Sequence, residues 1–373
     1  MSDWMLFAIK PSSYISSLCY SVFRLEPYSG CSYGCIYCYA RWYRWSKPLV
    51  NPGKLLGLWK RVARSLQKSL NPPIYFRLST LSEPFQENIE IQRVISLEMM
   101  RIALRYEVPL VVNTKSLLVT RSPWLDVVLR LADKRLVLIQ YSLTTINEYH
   151  RVKLEPHAPP SWRRLEAIEY LREHDVPVVA RIQPLIPGIE EEQLETARQA
   201  LEHGAQGLIT ESIRETKEGL QEIAKIIGIS PGDYMKIVQW EPYQFIEVDY
   251  MKPLLHPDIG WRARIFRKLE TIARTYGKPL TLCKEGVWKE YSRPGFDCCQ
   301  FWHTRSYYAL RKTLHEYLSD KIRPYITAKI LDKNDYTNYP KIIRRPLKLH
   351  HNKLEKIVEQ KEKLSKLVVD GPI

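Results

Sequence analysis

The stretch Gly30-Cys31-Ser32-Tyr33-Gly34-Cys35-Ile36-Tyr37-Cys38 spaces three cysteines as C-x3-C-x2-C. Three thiolates this close can hold three corners of a cube-shaped 4Fe-4S cluster and leave the fourth iron open to a small chelating molecule. Soft thiolate ligands select soft metals or iron–sulfur clusters. A zinc knuckle is the competing reading. Zinc sites usually pair two such cysteine units, or one unit with histidines, and no second pair follows nearby.

Outward from this loop, strand-like and helix-like patterns alternate from about residue 20 to about 210. Apolar or β-branched runs occur at Ile74–Leu78, Leu110–Asn113, Leu136–Tyr141, Val176–Ile182 and Gly207–Thr210. Helix-period stretches lie between them, at Leu55–Leu70, Ile89–Tyr106, Trp124–Ala132, Trp162–Glu173 and Glu190–Glu202. Such alternation predicts βα units around a parallel sheet, an α/β fold. Five or six units make a partial or full (β/α) TIM-type barrel, whose chemistry gathers at the C-terminal ends of its strands. A doubly wound open sheet is the alternative, but no G-x-G-x-x-G opens the first unit.

Beyond residue 212 the pattern loosens. Glu211–Ile227 and Trp261–Tyr276 read as helices, and Lys278–Cys283 as a short strand. From Lys341 the chain is strongly basic and reads either as a docked amphipathic helix or as a nucleic-acid-binding arm. The expected organisation is a barrel core over 1–212, with the remaining barrel elements and a mostly helical, basic C-terminal extension over 213–373.

The 373 residues carry 56 Lys and Arg against 41 Asp and Glu, a formal net charge of +15. That excess favours a polyanionic partner such as nucleic acid, or else a solvated basic surface. Seven cysteines in so long a chain do not make a disulfide scaffold. No secretory signal is visible at the start, and no apolar run reaches the length of a membrane span. A reducing cytoplasm and no membrane are the expectation.

Five ordered segments resemble the radical S-adenosylmethionine (radical SAM) enzymes, within them the spore photoproduct lyase-like branch, also described as DNA repair photolyase-like. They are the cysteine loop itself; Leu78-Ser-Thr-Leu-Ser-Glu83-Pro-Phe-Gln86; Thr114-Lys115-Ser116; Tyr141-Ser142 through Leu154-Glu155-Pro156 and Arg164-Leu165; and Pro184-Leu-Ile-Pro187-Gly188. The resemblance implies a 4Fe-4S cluster and S-adenosylmethionine as cofactors. It also implies an electron donor such as ferredoxin or flavodoxin, and reductive cleavage of the cofactor to a 5′-deoxyadenosyl radical. It places Tyr37 against the adenine and Ser79 and Glu83 near the methionine amine. Lys115 would balance the cofactor carboxylate, Ser142 would meet the carboxylate or ribose, and Arg181 the border of the adenine. In this family the second segment supplies a hydrogen-donating cysteine; no cysteine stands between Arg77 and Gln86, which speaks against thymine-dimer reversal by that route.

A second cysteine group comprises Cys283, Cys298 and Cys299, with His303 nearby. It can be a second metal or Fe–S site, a hydrogen-donating thiol, or three buried structural thiols. Tyr39, Trp42, Tyr43 and Trp45, interleaved with Arg41 and Arg44, can stack on bases and meet phosphates, or simply pack. The leading expectation is radical chemistry on a nucleic-acid base, in repair or modification. Radical modification of a peptide or small molecule is the second, and a metal- or redox-sensing nucleic-acid-binding protein the third. No catalytic residue is assigned.

Overall fold

The computed structural model describes residues 6–43, 52–69, 71–243, 254–285, 298–306, 308–318, 329–331, 333–360 and 364. Arg44 and Trp45 of the aromatic–basic run lie outside them. Seven strands form one sheet: β1 (Arg24–Leu25), β2 (Phe76–Leu78), β3 (Leu110–Thr114), β4 (Val137–Leu143), β5 (Val178–Leu185), β6 (Leu208–Ser212) and the strand Leu280–Leu282. All neighbours are parallel, and their order in the sheet is their order in the chain. Sequential order is that of a barrel; a doubly wound sheet would reverse direction at a switch point. The first and last strands are not hydrogen-bonded to each other, so the barrel is partial.

Helices cover the outer face for the reason their period suggests. Trp124–Asp133 buries Trp124, Val127, Val128 and Leu131, one stripe at helical spacing. Glu190–Glu202 opens on three glutamates, which suit the positive end of the helix dipole. Two expectations are corrected. The helix expected over Ile89–Tyr106 is two, Glu87–Arg93 and Ile95–Tyr106, broken at Val94 in the left-handed region with φ 48°. Buried Glu90 is the cause: its carboxylate accepts from Ser96 N at 3.1 Å and Leu97 N at 2.9 Å, capping the second helix. The helix expected from Glu211 begins at Lys217, because β6 continues through Ser212 and Thr216 Oγ1 caps the helix by accepting from Gly219 N at 3.2 Å.

Strand side chains alternate between faces. The rings of Phe23 and Trp59 pack on Phe76 in the helix-facing core at 5.1 and 4.8 Å, so Arg77 faces the barrel interior. Register then places Val111 beside Arg77, Asn113 beside Gln140, and Ser142 beside Arg181 on that inner face. Barrel interiors are usually filled by Val, Ile and Leu; here the upper layers are polar.

Residues 298–306 close the N-terminal end. Ser306 Oγ donates to Pro73 O at 2.7 Å, Arg305 N to Arg135 O at 2.7 Å and Gln300 Nε2 to Leu208 O at 2.9 Å, while Phe301 stacks on Tyr75. These partners all lie at or just before strand starts. The helix Lys341–Val358 docks on Ser13–Leu18, burying Ile343, Leu347 and Leu354, with His350 bonded to Ser16 Oγ at 3.0 Å and Ile9 O at 2.9 Å. Among the described residues no helix is long and apolar enough to cross a membrane.

Candidate cluster and cofactor site

The three cysteines follow β1 on a loop held from two sides. Ser32 N donates to Gln86 Oε1 at 2.6 Å, Gln86 Nε2 to Gly30 O at 2.9 Å, and Tyr33 OH to Glu87 Oε2 at 2.8 Å. On the other side Ile36 N donates to Leu154 O at 3.0 Å and His157 N to Tyr33 O at 3.3 Å. Gly34 makes the turn at φ 63°, where a side chain would be strained. The thiols are free: Cys31 is exposed, Cys35 and Cys38 half-buried. Burial pushes the half-buried Cys35 up to about 12, so it is neutral until a metal draws off the proton.

Among the described residues no three His, Cys, Asp or Glu side chains converge to hold a single metal ion. A cubane asks for something different, since each thiolate binds its own iron. Three sulfurs in no disulfide, exposed or half-buried on a braced loop, fit that demand.

Behind the loop, fully buried Glu155 gathers three partners. Tyr37 OH donates to it and lies 2.7 Å from Thr144 Oγ1; Arg164 Nη2 donates at 2.5 Å; Lys115 Nζ lies 3.4 Å away and 5.9 Å from the Tyr37 ring centroid. Burial pushes Glu155 up, but Arg164, Lys115 and the hydroxyls outweigh it and hold the carboxyl at about 2. Glu155 and Arg164 stand in the quoted motifs, yet reasoning from sequence assigned them no role. Lys115, expected to balance a cofactor carboxylate, has its charge met by Glu155.

Glu83 is buried beneath the loop and accepts from Thr114 Oγ1 at 2.6 Å, Lys115 N at 2.8 Å and Phe85 N at 3.1 Å. Burial outweighs these bonds and raises its carboxyl to about 7. Ser79 sits at φ 60° and donates to Glu26 Oε2 at 2.8 Å; Glu26 also takes Thr80 N at 2.7 Å. Glu26 is a third residue to which the sequence reading gave no role. Ser142 is half-buried at the end of β4, beside Arg181 in the register. Arg181 donates to Gln140 Oε1 at 2.7 Å and Gln183 Oε1 at 2.5 Å, so it orders the polar inner face rather than reaching out of it.

Near the C-terminal ends of the strands, on the inner face, Asn113 Oδ1 and Gln183 Nε2 are buried without a hydrogen-bond partner among the described residues. Buried polar atoms are normally paired, and these two lie at the end of the barrel where ligands usually bind. The second cysteine group is brought together inside the barrel. Cys283, Cys298 and Cys299 are buried; the Cys298 thiol bonds to both others, and Cys299 Sγ lies 3.4 Å from Ser21 Oγ. Bonding from Cys298 lowers Cys283 and Cys299.

Residues 25–201 match the family model of the radical SAM superfamily. These residues form a radical SAM domain. The chain is also similar to an uncharacterized protein of Methanocaldococcus jannaschii, at 30% identity over an alignment of 179 residues that covers 44% of this chain and 61% of that protein. The chain thus spans under two thirds of that relative. A solved spore photoproduct lyase variant with bound AdoMet and dinucleoside spore photoproduct superposes with TM-score 0.53 at 15% identity, over 75% of this chain and 79% of that one. Spore photoproduct lyase complexed with dinucleoside spore photoproduct gives 0.52 at 15% identity, over 70% and 76%. At such identity the likeness is one of fold.

Proposed function

We propose that this protein is a radical S-adenosylmethionine enzyme whose Cys31, Cys35 and Cys38 hold a 4Fe-4S cluster, and that it acts on a base in nucleic acid, to repair or modify it. The observation that carries the reading is the braced loop of free thiols beside strand ends with unpaired buried polar atoms. When bound, the cluster supplies one electron to the sulfonium C–S bond of S-adenosylmethionine, yielding methionine and a 5′-deoxyadenosyl radical.

The chain's own residues bind and orient. Tyr37, its hydroxyl locked by Glu155 and Thr144, presents a fixed ring to the adenine. Glu83, with Ser79 beside Glu26, forms an acidic wall for the methionine amine. Lys115 and Ser142 border the carboxylate or ribose, and Arg181 keeps Gln183 turned toward the adenine side. The 298–306 segment shuts the far end of the barrel against water. A nucleic-acid substrate is supported by the charge of +15, and the two solved relatives are described with a dinucleoside photoproduct bound. The partners are then nucleic acid and a one-electron donor such as ferredoxin or flavodoxin, in the cytoplasm. Cys283, Cys298 and Cys299 are read as structural thiols, since all three are buried in the core.

Anaerobic reconstitution with iron and sulfide, then S-adenosylmethionine and dithionite, is expected to release 5′-deoxyadenosine; none released sinks the enzyme reading. Affinity for a single-stranded oligonucleotide should fall linearly with salt on log axes, with a slope of about −0.7 per phosphate neutralised. A flat response removes nucleic acid as the substrate.

A further inference from the structure

We infer that the outer face of residues 149–163 is where an acidic one-electron carrier protein docks to reduce the cluster. This rests on the radical SAM reading of Cys31, Cys35 and Cys38.

The face adjoins the back of the cysteine loop. Residues 154–157 bond to Ile36 and Tyr33, and a Cβ on Gly34 would lie 3.5 Å from the His157 ring and 3.6 Å from Pro156 Cγ. The segment has two sides. Glu155 is fully buried on the Tyr37–Arg164 hub, while Pro156 and His157 are exposed. A carrier on the outer side would be separated from the thiols by little more than the loop backbone, and would stay clear of the buried hub.

The same face carries apolar surface that folding does not explain. Tyr149 is 63% exposed, Val152 50% and Trp162 53%. Tyr149 and Val152 share the outer side of the helix Glu148–Leu154; Trp162 stands at the start of the next helix, tied to the first by Ser161 N donating to Glu148 Oε1 at 2.7 Å. Exposed apolar side chains grouped on two adjoining helices point to an interaction site. Tyr170, on the same helix as Trp162, is also exposed; the other large exposed apolar side chains among the described residues are Tyr39, next to Cys38, and Ile91, Ile237 and Tyr317.

Its charge selects the partner. Lys153 is exposed with Nζ 3.6 Å from the Tyr149 ring centroid, and Arg163 is exposed over Trp162. The acid within the segment and the one just before it are already met: Glu155 takes Arg164, and Glu148 takes Arg151 Nε at 2.8 Å. Glu166 is the next exposed acid, beyond the segment. An apolar centre with a cationic rim fits an acidic partner in a small, short-lived encounter, the kind electron-transfer pairs use. The step is one electron: the carrier is oxidised by one, the cluster reduced by one, and no bond is made or broken. A nucleic acid would also accept aromatic and cationic side chains, but two exposed cations make a weak phosphate track, and the abutment on the cysteine loop favours the carrier.

The test compares wild type with Lys153→Glu/Arg163→Glu, and separately with Trp162→Ala. Flavodoxin is the probe, with its affinity for each protein measured by titration calorimetry at low salt. The double variant is expected to weaken flavodoxin binding by about tenfold or more, and to lower flavodoxin-supported 5′-deoxyadenosine release in step. Dithionite-supported release stays within about twofold of wild type, since a small reductant needs no docking face. Trp162→Ala is expected to weaken binding with little change in salt dependence. Unchanged flavodoxin affinity in both variants, or no binding by wild type, overturns the inference. So does a variant that loses oligonucleotide affinity while keeping flavodoxin affinity. Absence of dithionite-supported release from wild type strikes the enzyme reading instead, and the calorimetry still decides the docking face.

Discussion

The loop of Cys31, Cys35 and Cys38 and the interior group of Cys283, Cys298 and Cys299 treat the same side chain in opposite ways. The loop thiols are exposed or half-buried, and the loop takes its shape from Gln86, Glu87 and Leu154 rather than from the sulfurs. The interior thiols are enclosed, bonded to one another and to Ser21, on segments that close the barrel. Sulfur that the fold does not use is free to serve a ligand. Sulfur that fills the core is already employed, because a buried thiol behaves as a small hydrophobe.

The sharpest way to break this comparison is Cys35→Ala. Reductant-dependent 5′-deoxyadenosine and bound iron should both vanish, while stability shifts by no more than about 0.5 kcal/mol, as for a change outside the core. A large fall in the melting temperature would mean that the loop needs its thiols to hold its shape.

Next in size is Glu155→Gln, which leaves Arg164 buried without its charge partner and should cost about 3–5 kcal/mol in denaturant unfolding. The pH dependence follows from the carboxyl held at about 2 in the fold, below the unfolded value near 4.3. The folded pKa is depressed, so the stabilisation is present above the unfolded value and lost as pH falls toward the folded one. The gap between wild type and variant should therefore narrow on acidification through that window. A gap independent of pH would show that the pair contributes no net charge stabilisation.

The smallest effect belongs to the interior group. Cys299→Ala should destabilise by about 1–3 kcal/mol through lost packing and bonding, with iron after reconstitution unchanged at about four per chain. A loss of about half the iron in Cys283→Ala/Cys298→Ala/Cys299→Ala, from a wild-type value near eight, would make the second group a cluster site and end the contrast.

Much of the frame was legible in the residues. The edges of the helices Trp124–Asp133 and Glu190–Glu202 follow from their stripe and their charged first turn. The polar inner face also had a signal: Gln140 with Ser142, and Arg181 with Gln183, sit two apart in runs otherwise apolar. The helix break at Val94 had none nearby, since it depends on Glu90 meeting Tyr28, Ser96, Leu97 and Trp124 together. The Glu155 hub likewise joins Tyr37, Lys115 and Arg164 from three separate stretches.

By itself the sequence determined the cysteine spacing and the alternation of strand and helix, which are set by neighbours a few residues apart, and the charge, which is set by composition alone. Only the tertiary structure decided which thiols remain free, what closes the barrel, and which face beside the loop is left apolar. Cys299 meets Ser21 across 278 residues, and contacts that distant are set by packing the whole sheet, which no local pattern records.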